Sequence, residues 1–274
     1  MQSNPSIIVS RKDTAGMNVS DFLIHDFDFG ETERQFHSLP IYSNGKIDLV
    51  FIEEIQVHAD YLNELSSPLF IFASKHKSNS GKPCFTVHPI GNFGKAELGG
   101  KDDTLIPTSA VFNKLLFLAL FNEAENSRLP WDVVLEVSHH GPFLEKPTVF
   151  IEIGSSEKQW TEKEAARVLA YAIMKATRLN AKEYKTAIGA GGTHYCPEFT
   201  KIQLKTDIAL SHIVSKYAVD SLTKDSFNQM TEKTVEKVDF MLLDWKGLTS
   251  EQRQKMIAFC ERAGIEYKKT KDFM

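Results

Sequence analysis

The stretch Thr148-Val149-Phe150-Ile151-Glu152-Ile153-Gly154-Ser155-Ser156, followed past Trp160 by a helical pattern from Thr161 to Arg178, decides the fold class. Apart from Glu152, the run Thr148–Ile153 is apolar on both alternations, as expected of a strand covered by helices on both faces. Gly154-Ser155-Ser156 then turns the chain. The helical segment opens on Thr161-Glu162-Lys163-Glu164, a capping-box pattern in which Thr161 caps a free N–H and Glu164 reaches back. Buried strand, tight turn and helix in succession form the repeating unit of an α/β fold.

The rest of the chain repeats the alternation. Further strands are predicted at Ser6–Ser10, Ile47–Ile52, Leu69–Ser74, Cys84–His88, Asp132–Ser138, Lys185–Gly189, His212–Ser215 and Val238–Asp244. Helices are predicted at Ser109–Asn122, Thr200–Leu210, Lys224–Lys233 and Ser250–Ala263. The first of these is apolar nearly all round, which calls for deep burial. The expectation is a mainly parallel or mixed central sheet flanked by helices, in a single domain spanning residues 1–274. No internal repeat, low-complexity segment or linker interrupts it.

Composition narrows the function class. Hydrophobic residues make up 42% and charged residues 25%, the balance of a soluble globular protein. No apolar run reaches the roughly 18–20 residues that cross a bilayer. The N-terminus lacks the basic-then-apolar order of a signal peptide, so a cytoplasmic location is expected. Cys84, Cys196 and Cys260 are far apart and form no CxxC pair, which argues against a disulfide framework or a cysteine zinc knuckle. The net charge of −4 counts against broad nucleic-acid affinity. The charge is uneven, however. From Lys201 onward 13 Lys and Arg face 11 Asp and Glu, so that part carries +2 and the remainder −6. Lys216, Lys246, Arg253 and Lys269 are among the material for a basic face, the alternative being an ordinary mixed-charge surface.

Chemistry concentrates in five places. Glu136-Val137-Ser138-His139-His140-Gly141-Pro142 puts an acid and two imidazoles at the end of a strand. Strand alternation would set Glu136, Ser138 and His140 on one face and His139 on the other, unless Gly141-Pro142 bends the backbone. Glu152 lies inside an apolar strand, where an unpaired carboxylate is costly, so it must meet a cation, a histidine or a donor. Ser155 and Ser156 follow as a candidate anion cradle, or simply a tight turn. Gly189-Ala190-Gly191-Gly192-Thr193-His194-Tyr195-Cys196-Pro197 lets the backbone approach a ligand and then projects His194 and Tyr195, although the Walker pattern is absent.

His76, after Ser74-Lys75, and His88, before Pro89 and Gly91-Asn92, each end a predicted strand. Alone, either is an ordinary solvated histidine. With His139, His140 and His194 they make five imidazoles at strand carboxyl ends, the edge where open α/β sheets bind ligands. Asp244-Trp245-Lys246-Gly247 ends another strand, either orienting a histidine and meeting phosphate or making a turn. No GxSxG elbow and no HExxH motif is present. A histidine-and-carboxylate hydrolytic site, with or without zinc, therefore fits better than a covalent one.

Taken together, these blocks resemble the D-aminoacyl-tRNA deacylase family of archaea and plants over nearly the full chain. The resemblance rests on Ser74-Lys75-His76, Thr86 through His88 to Gly91-Asn92-Phe93-Gly94, Gly99-Gly100-Lys101-Asp102, Glu136–Pro142 and Phe150–Ser156 with Trp160. It continues through Gly189–Pro197, Lys216-Tyr217 and Asp244–Gly247. The family often carries Trp where this chain has Phe93, a conservative departure. The resemblance implies hydrolysis of the ester joining a D-amino acid to the terminal ribose of tRNA. It also implies a zinc requirement and a core related to peptidyl-tRNA hydrolase and phosphorylase-like folds. On this basis His76, His88, Glu152 and His194 are the expected metal ligands. Glu136, His139, His140, His194 and Thr193 are the expected catalytic groups, with N–H groups near Gly192–Thr193 or Ser155–Ser156 as an oxyanion cradle and Gly191 beside them at the substrate. Lys75, Lys101 and Lys246 are expected to hold phosphates of the acceptor end, with Asn92 and Tyr195 also at the substrate. The rival readings are a peptidyl-tRNA hydrolase or zinc peptidase acting on an amide, and a non-enzymatic RNA-binding module. The acidic net charge and the lack of an RRM or KH signature count against the last.

Overall fold

A computed structural model of the 274-residue chain describes residues 3–180 and 182–274. It contains two sheets. The larger is built from β1 (Ser6–Ser10), β2 (Gly30–Phe36), β3 (Leu39–Ser43), β4 (Asp48–Ile52), β5 (Phe70–Lys77), β6 (Cys84–His88), β7 (Asp132–Leu135) and β8 (Thr148–Ser155), in the order β2-β3-β4-β1-β5-β8-β6-β7. The smaller contains β9 (Lys185–Ala190), β10 (Ile208–Val214), β11 (Phe240–Leu243) and β12 (Glu266–Lys269), in the order β10-β9-β11-β12. All its pairings are parallel. The large sheet is mixed. β4, β1, β5 and β8 run parallel, whereas β6 lies antiparallel on β8 and carries β7 parallel to itself.

The helices are α1 (Thr14–Asp26), α2 (Ala110–Glu125), α3 (Glu157–Trp160), α4 (Lys163–Ala176), α5 (Pro197–Lys205), α6 (Lys224–Glu232) and α7 (Ser250–Ala263). The all-round apolar character of α2 has a structural cause: it packs against α4, α5, β6, β7 and the small sheet's β9 and β10. One hydrophobic cluster accordingly runs from Ile7, Phe85 and Ile151 of the large sheet through Leu116 and Phe117 of α2 to Ala187, Leu210 and Leu242 of the small one. Among the described residues no helix is long and apolar enough to cross a membrane.

Four local expectations need correction. Thr161 does not start a helix; it ends α3, and Glu162 caps α4. The capping box belongs to Ser156 and Gln159 instead. The predicted helix Thr200–Leu210 merges two elements, because α5 ends at Lys205 and Ile208 already pairs with Lys185 in the small sheet. The strand predicted at Asp132–Ser138 also stops early. β7 ends at Leu135, so strict alternation does not reach the histidines. Last, β6 and β7 run against β5 and β8, so the five imidazoles do not share one carboxyl edge of a parallel sheet.

Candidate active site

The antiparallel pairing of β6 on β8 builds the site in the middle of the sheet. Along β8, Phe150, Glu152 and Gly154 face one side. Phe150 pairs with His88 of β6, Glu152 with Ser74 of β5 and Thr86 of β6, and Gly154 with His76 of β5. Glu152 therefore stands between two histidines contributed from opposite directions. His76 Nδ1 is 3.4 Å and His88 Nε2 3.6 Å from Glu152 Oε2, while Ser74 Oγ donates to Oε1 at 2.5 Å. Gly154 makes room for this: a Cβ there would lie 2.8 Å from His76 Cδ2 and 2.9 Å from Cys84 Sγ.

Beyond β7 the chain leaves regular strand geometry. Glu136 bridges to Tyr195 and His139 to Ile90, and His140 adopts φ +50°. The expectation that His139 and His140 face apart fails for this reason. Their rings meet edge to face with centroids 4.5 Å apart, and His88 lies 4.3 Å from His139. Glu136, fully buried, is the hub. His194 Nε2 lies 3.0 Å and His139 Nε2 3.5 Å from its Oε2, and His76 Nδ1 lies 3.1 Å from its Oε1. His194 comes from the loop after β9, held by Val137 N–H donating to the His194 carbonyl at 3.1 Å. The site is thus assembled from both sheets.

Proton placement is dictated by the outer partners. His139 Nδ1 faces the Val137 carbonyl at 2.8 Å, His140 Nδ1 the Gly141 carbonyl at 2.6 Å, and His88 Nδ1 the Pro89 carbonyl at 3.1 Å. A carbonyl only accepts, so each Nδ1 carries the proton, and a neutral ring then presents its Nε2 lone pair inward. Those lone pairs meet two carboxylates. Glu136 Oε1, Glu136 Oε2 and His88 Nε2 are buried without an aligned hydrogen bond. An inward-facing set of acceptors is what a cation completes, and ring N–H to carbonyl bonds are the usual outer support of metal-ligating histidines. Among the described residues, three groups have ligand atoms close enough to share an ion: His88, His139 and His140; His76, Glu136 and His194; and His88, Glu136 and Glu152. The expected set of His76, His88, Glu152 and His194 is therefore divided between groups, and Glu136 joins two of them.

Burial and neighbouring charges shift the groups of the cluster in opposite directions. Burial disfavours charge on His76 and His88, but the Glu152 contact and the Glu136 charge outweigh it and raise both. Burial pushes both carboxyls up, yet His194 and the charges on His88 and His76 hold Glu136 below its usual range, and His76 and His88 hold Glu152 well below it. His140 is pushed down to about 4 by burial and by His88, and His139 is lowered well below its ordinary value for the same reasons.

A cleft of about 450 Å³ opens onto this cluster, lined by His76, His139, His140, Glu152 and His194, with Lys75 and Phe150 at its wall. A larger cavity of about 770 Å³ lies between α6 and α7 and contains no imidazole, so the chemistry selects the smaller one. Tyr195 joins the site, its hydroxyl 2.7 Å from His76 Nε2. Other expected residues serve the scaffold. Thr193 Oγ1 donates to the Tyr195 carbonyl, and the Asn92 amide donates to the carbonyls of Gly99 and Lys101. Ser155 Oγ donates to the Lys82 carbonyl, and Ser156 N–H is taken by Gln159, so that cradle is spent. Gly191 N–H donates to the Val214 carbonyl, and Gly192 packs beside Cys196. Asp244 makes a turn by accepting from Gly247 N–H rather than orienting a histidine. Lys101 sits over the Phe143 ring, 3.4 Å from its centroid, and Lys246 lines a different cavity.

Sequence reasoning missed Asp13 and Gln56. Asp13 caps α1 through Gly16 N–H, and its Oδ2 accepts from Gln56 Nε2 at 2.6 Å and Lys75 N–H at 2.9 Å, bracing two wall residues. The available signal was an acid three residues beyond a buried strand.

Residues 64–268 match the family model described as D-aminoacyl-tRNA deacylase. A protein of Thermococcus onnurineus with that description is 38% identical over 270 residues, covering 95% of this chain and 98% of its own. One of Methanocaldococcus jannaschii is 36% identical over 274 residues, covering 96% and 98%. The crystal structure of AF0625, a conserved protein of unknown function, is 32% identical and superposes with a TM-score of 0.92 over 99% of this chain and 96% of its own.

Proposed function

This chain belongs to the D-aminoacyl-tRNA deacylase family and hydrolyses D-aminoacyl-tRNA to free D-amino acid and tRNA, and we propose that it does so in the imidazole cleft around Glu136. One observation carries the placement: Glu136 is buried with both oxygens lacking aligned hydrogen bonds, although His76, His139 and His194 all crowd it. A fold has no use for that charge, whereas ester hydrolysis does.

His194 is half exposed at the cleft mouth and is the base in this reading. Glu136 favours a proton on His194 Nε2 and leaves Nδ1 to accept one from water. The water oxygen attacks the ester carbonyl, and Glu136 stabilises the imidazolium that forms. As the carbon–oxygen bond to the ribose breaks, the same proton passes to the departing ribose oxygen. The amides of Gly192 and Thr193, two and one residues before the base, are the oxyanion donors in this reading. Tyr195 and Trp160 fix His76, the latter by donating from Nε1 to the His76 carbonyl at 2.9 Å.

The donor set fits zinc, with His88, His139 and His140 beside Glu136 as the residues that would hold it. When bound, zinc supplies Lewis acidity and lowers the pKa of a nearby water. The cleft also suits the acceptor end of the substrate, with Lys75 at its wall.

The test compares D-tyrosyl-tRNA with L-tyrosyl-tRNA, with and without chelator. The expected result is rapid loss of the D-ester alone, falling on chelation and returning with added zinc. Equal, slow loss of both esters would sink the deacylase reading, and full activity after verified metal removal would sink zinc alone. His194→Ala is expected to cut turnover by about 10³-fold with the fold intact, in the range of general-base removal.

A further inference from the structure

The four strands of the small sheet are parallel, so the loops after β9, β10, β11 and β12 emerge on one edge. The first of these loops carries His194. The second and third adjoin it directly. Lys216 N–H donates to the Gly192 carbonyl at 3.0 Å, and a Cβ on Gly247 would lie 3.1 Å from Gly192 N. Around the His194 loop, this edge therefore presents Lys216 and Tyr217 after β10, Trp245 and Lys246 after β11, and Lys269 at the end of β12.

Two features set the edge apart from an ordinary charged surface. Tyr217 is 70% exposed, a large uncovered aromatic ring, with Lys216 Nζ 5.1 Å from its centroid. Trp245 is covered by two cations, Arg253 at 4.9 Å and Lys269 at 4.0 Å. Lys216, Tyr217 and Lys246 line one shallow cavity of about 450 Å³. The neighbouring acids are partly engaged: Asp244 accepts from Gly247 N–H, and Asp220 from Gln252 Nε2. Glu251 lies exposed in the first turn of α7, which follows the β11 loop. The edge belongs to the part of the chain carrying +2, against −6 elsewhere.

We propose that this edge is the track for the single-stranded 3′ end of tRNA, with a base stacked on Tyr217 and backbone phosphates held by Lys216 and Lys246. The proposal rests on the assignment of the cleft to an aminoacyl-tRNA ester. An exposed aromatic flanked by lysines is the arrangement that binds single-stranded RNA with little regard to sequence, since every base offers a face to stack and every nucleotide a phosphate. The track leads into the His194 loop, so a terminal ribose ester delivered along it arrives at the proposed base. An acidic protein needs such local concentration of cations to hold a polyanion.

The test measures binding of uncharged tRNA, which requires no chemistry. Wild type, Tyr217→Ala and the double variant Lys216→Gln/Lys246→Gln are titrated over a range of salt, each checked for an unchanged thermal midpoint. Tyr217→Ala is expected to weaken binding about tenfold, within the span of one lost stacking contact. The lysine variant is expected to reduce the slope of log K against log salt by about 1.4, two single-strand contacts at about 0.7 each. On tRNA trimmed of its last three nucleotides, wild type and variants are expected to bind equally weakly. Unchanged affinity and slope in the variants, or the same losses on trimmed tRNA, would overturn the track. Normal tRNA binding by a wild type that hydrolyses no D-ester would instead strike the reaction assigned to the cleft and leave the track standing.

Discussion

Histidine serves opposite ends in this protein, and the neighbours of each ring decide which. His194 is half exposed beside a buried carboxylate and is the proposed base. His212, on β10, is fully buried, and its Nδ1 meets Ser138 Oγ at 3.0 Å. Burial drives His212 down to about 4, against the pull of the Ile106 and Lys233 carbonyls. Its folded pKa thus lies below the ordinary 6.5, and the unfolded chain binds the proton more readily between those values. Stability from this residue is complete above pH 6.5 and is lost as pH falls toward 4. The shift corresponds to about 3 kcal/mol. Urea unfolding of wild type and His212→Gln across this window is the check. The difference in stability between them should shrink by about that amount on acidification, and a constant difference would show that His212 titrates normally.

At the scale of elements, α1 shows how packing positions the cleft. Gly16, in its first turn, lies so close to β5 that a Cβ would stand 2.6 Å from the Ala73 carbonyl oxygen and 3.3 Å from Val9 Cγ1. A backbone carbonyl in a central strand cannot yield, so Gly16→Ala should cost about 2 kcal/mol despite the better helix propensity of alanine. Gly30→Ala, with open space around it, is the matched control. Because the Asp13 cap moves with α1 and holds Lys75 and Gln56, the Gly16 variant should also lose activity beyond its loss of folded protein. Equal unfolding midpoints for the two alanine variants would refute the clash. Legibility followed from burial. β1, β6 and β8 are buried throughout and were plain as apolar runs. β2, GETERQF, is mostly exposed, and β12, EYKK, is largely charged, so neither carries an apolar signal. The site was legible as residue types, because glutamates within apolar segments and histidines beside glycines are conspicuous. Its wiring was not. That depends on β6 running antiparallel to β8 and on the backbone at His140, both set by distant pairing rather than by local sequence.

At the scale of the molecule, the two sheets are joined twice, by the core and by the site. α2 fills the space between them, and its Lys114 Nζ reaches the carbonyls of Gln203 and Thr206 at the end of α5. The Glu136–His140 segment is stitched to β10 by Ser138 N–H donating to the Ile213 carbonyl at 3.0 Å and Ile213 N–H donating to Ser138 Oγ at 3.3 Å. Unfolding the small sheet would therefore expose α2 and release His194 from Glu136 at once. We propose that residues 1–274 behave as one cooperative domain and that an ion held at the imidazole cluster stabilises both sheets together. A ligand present at a hundred times its dissociation constant adds about 2.7 kcal/mol to the native state. For a chain of this size that corresponds to a midpoint rise of about 5–10 °C. Calorimetry with zinc and after chelation should show one transition in each case, displaced by that amount, and the displacement should disappear in Glu136→Gln. Two separable transitions would show that the shared core is too weak to couple the sheets. A single transition that ignores the metal would place any zinc elsewhere and leave the buried charge of Glu136 to be balanced by imidazole protons alone.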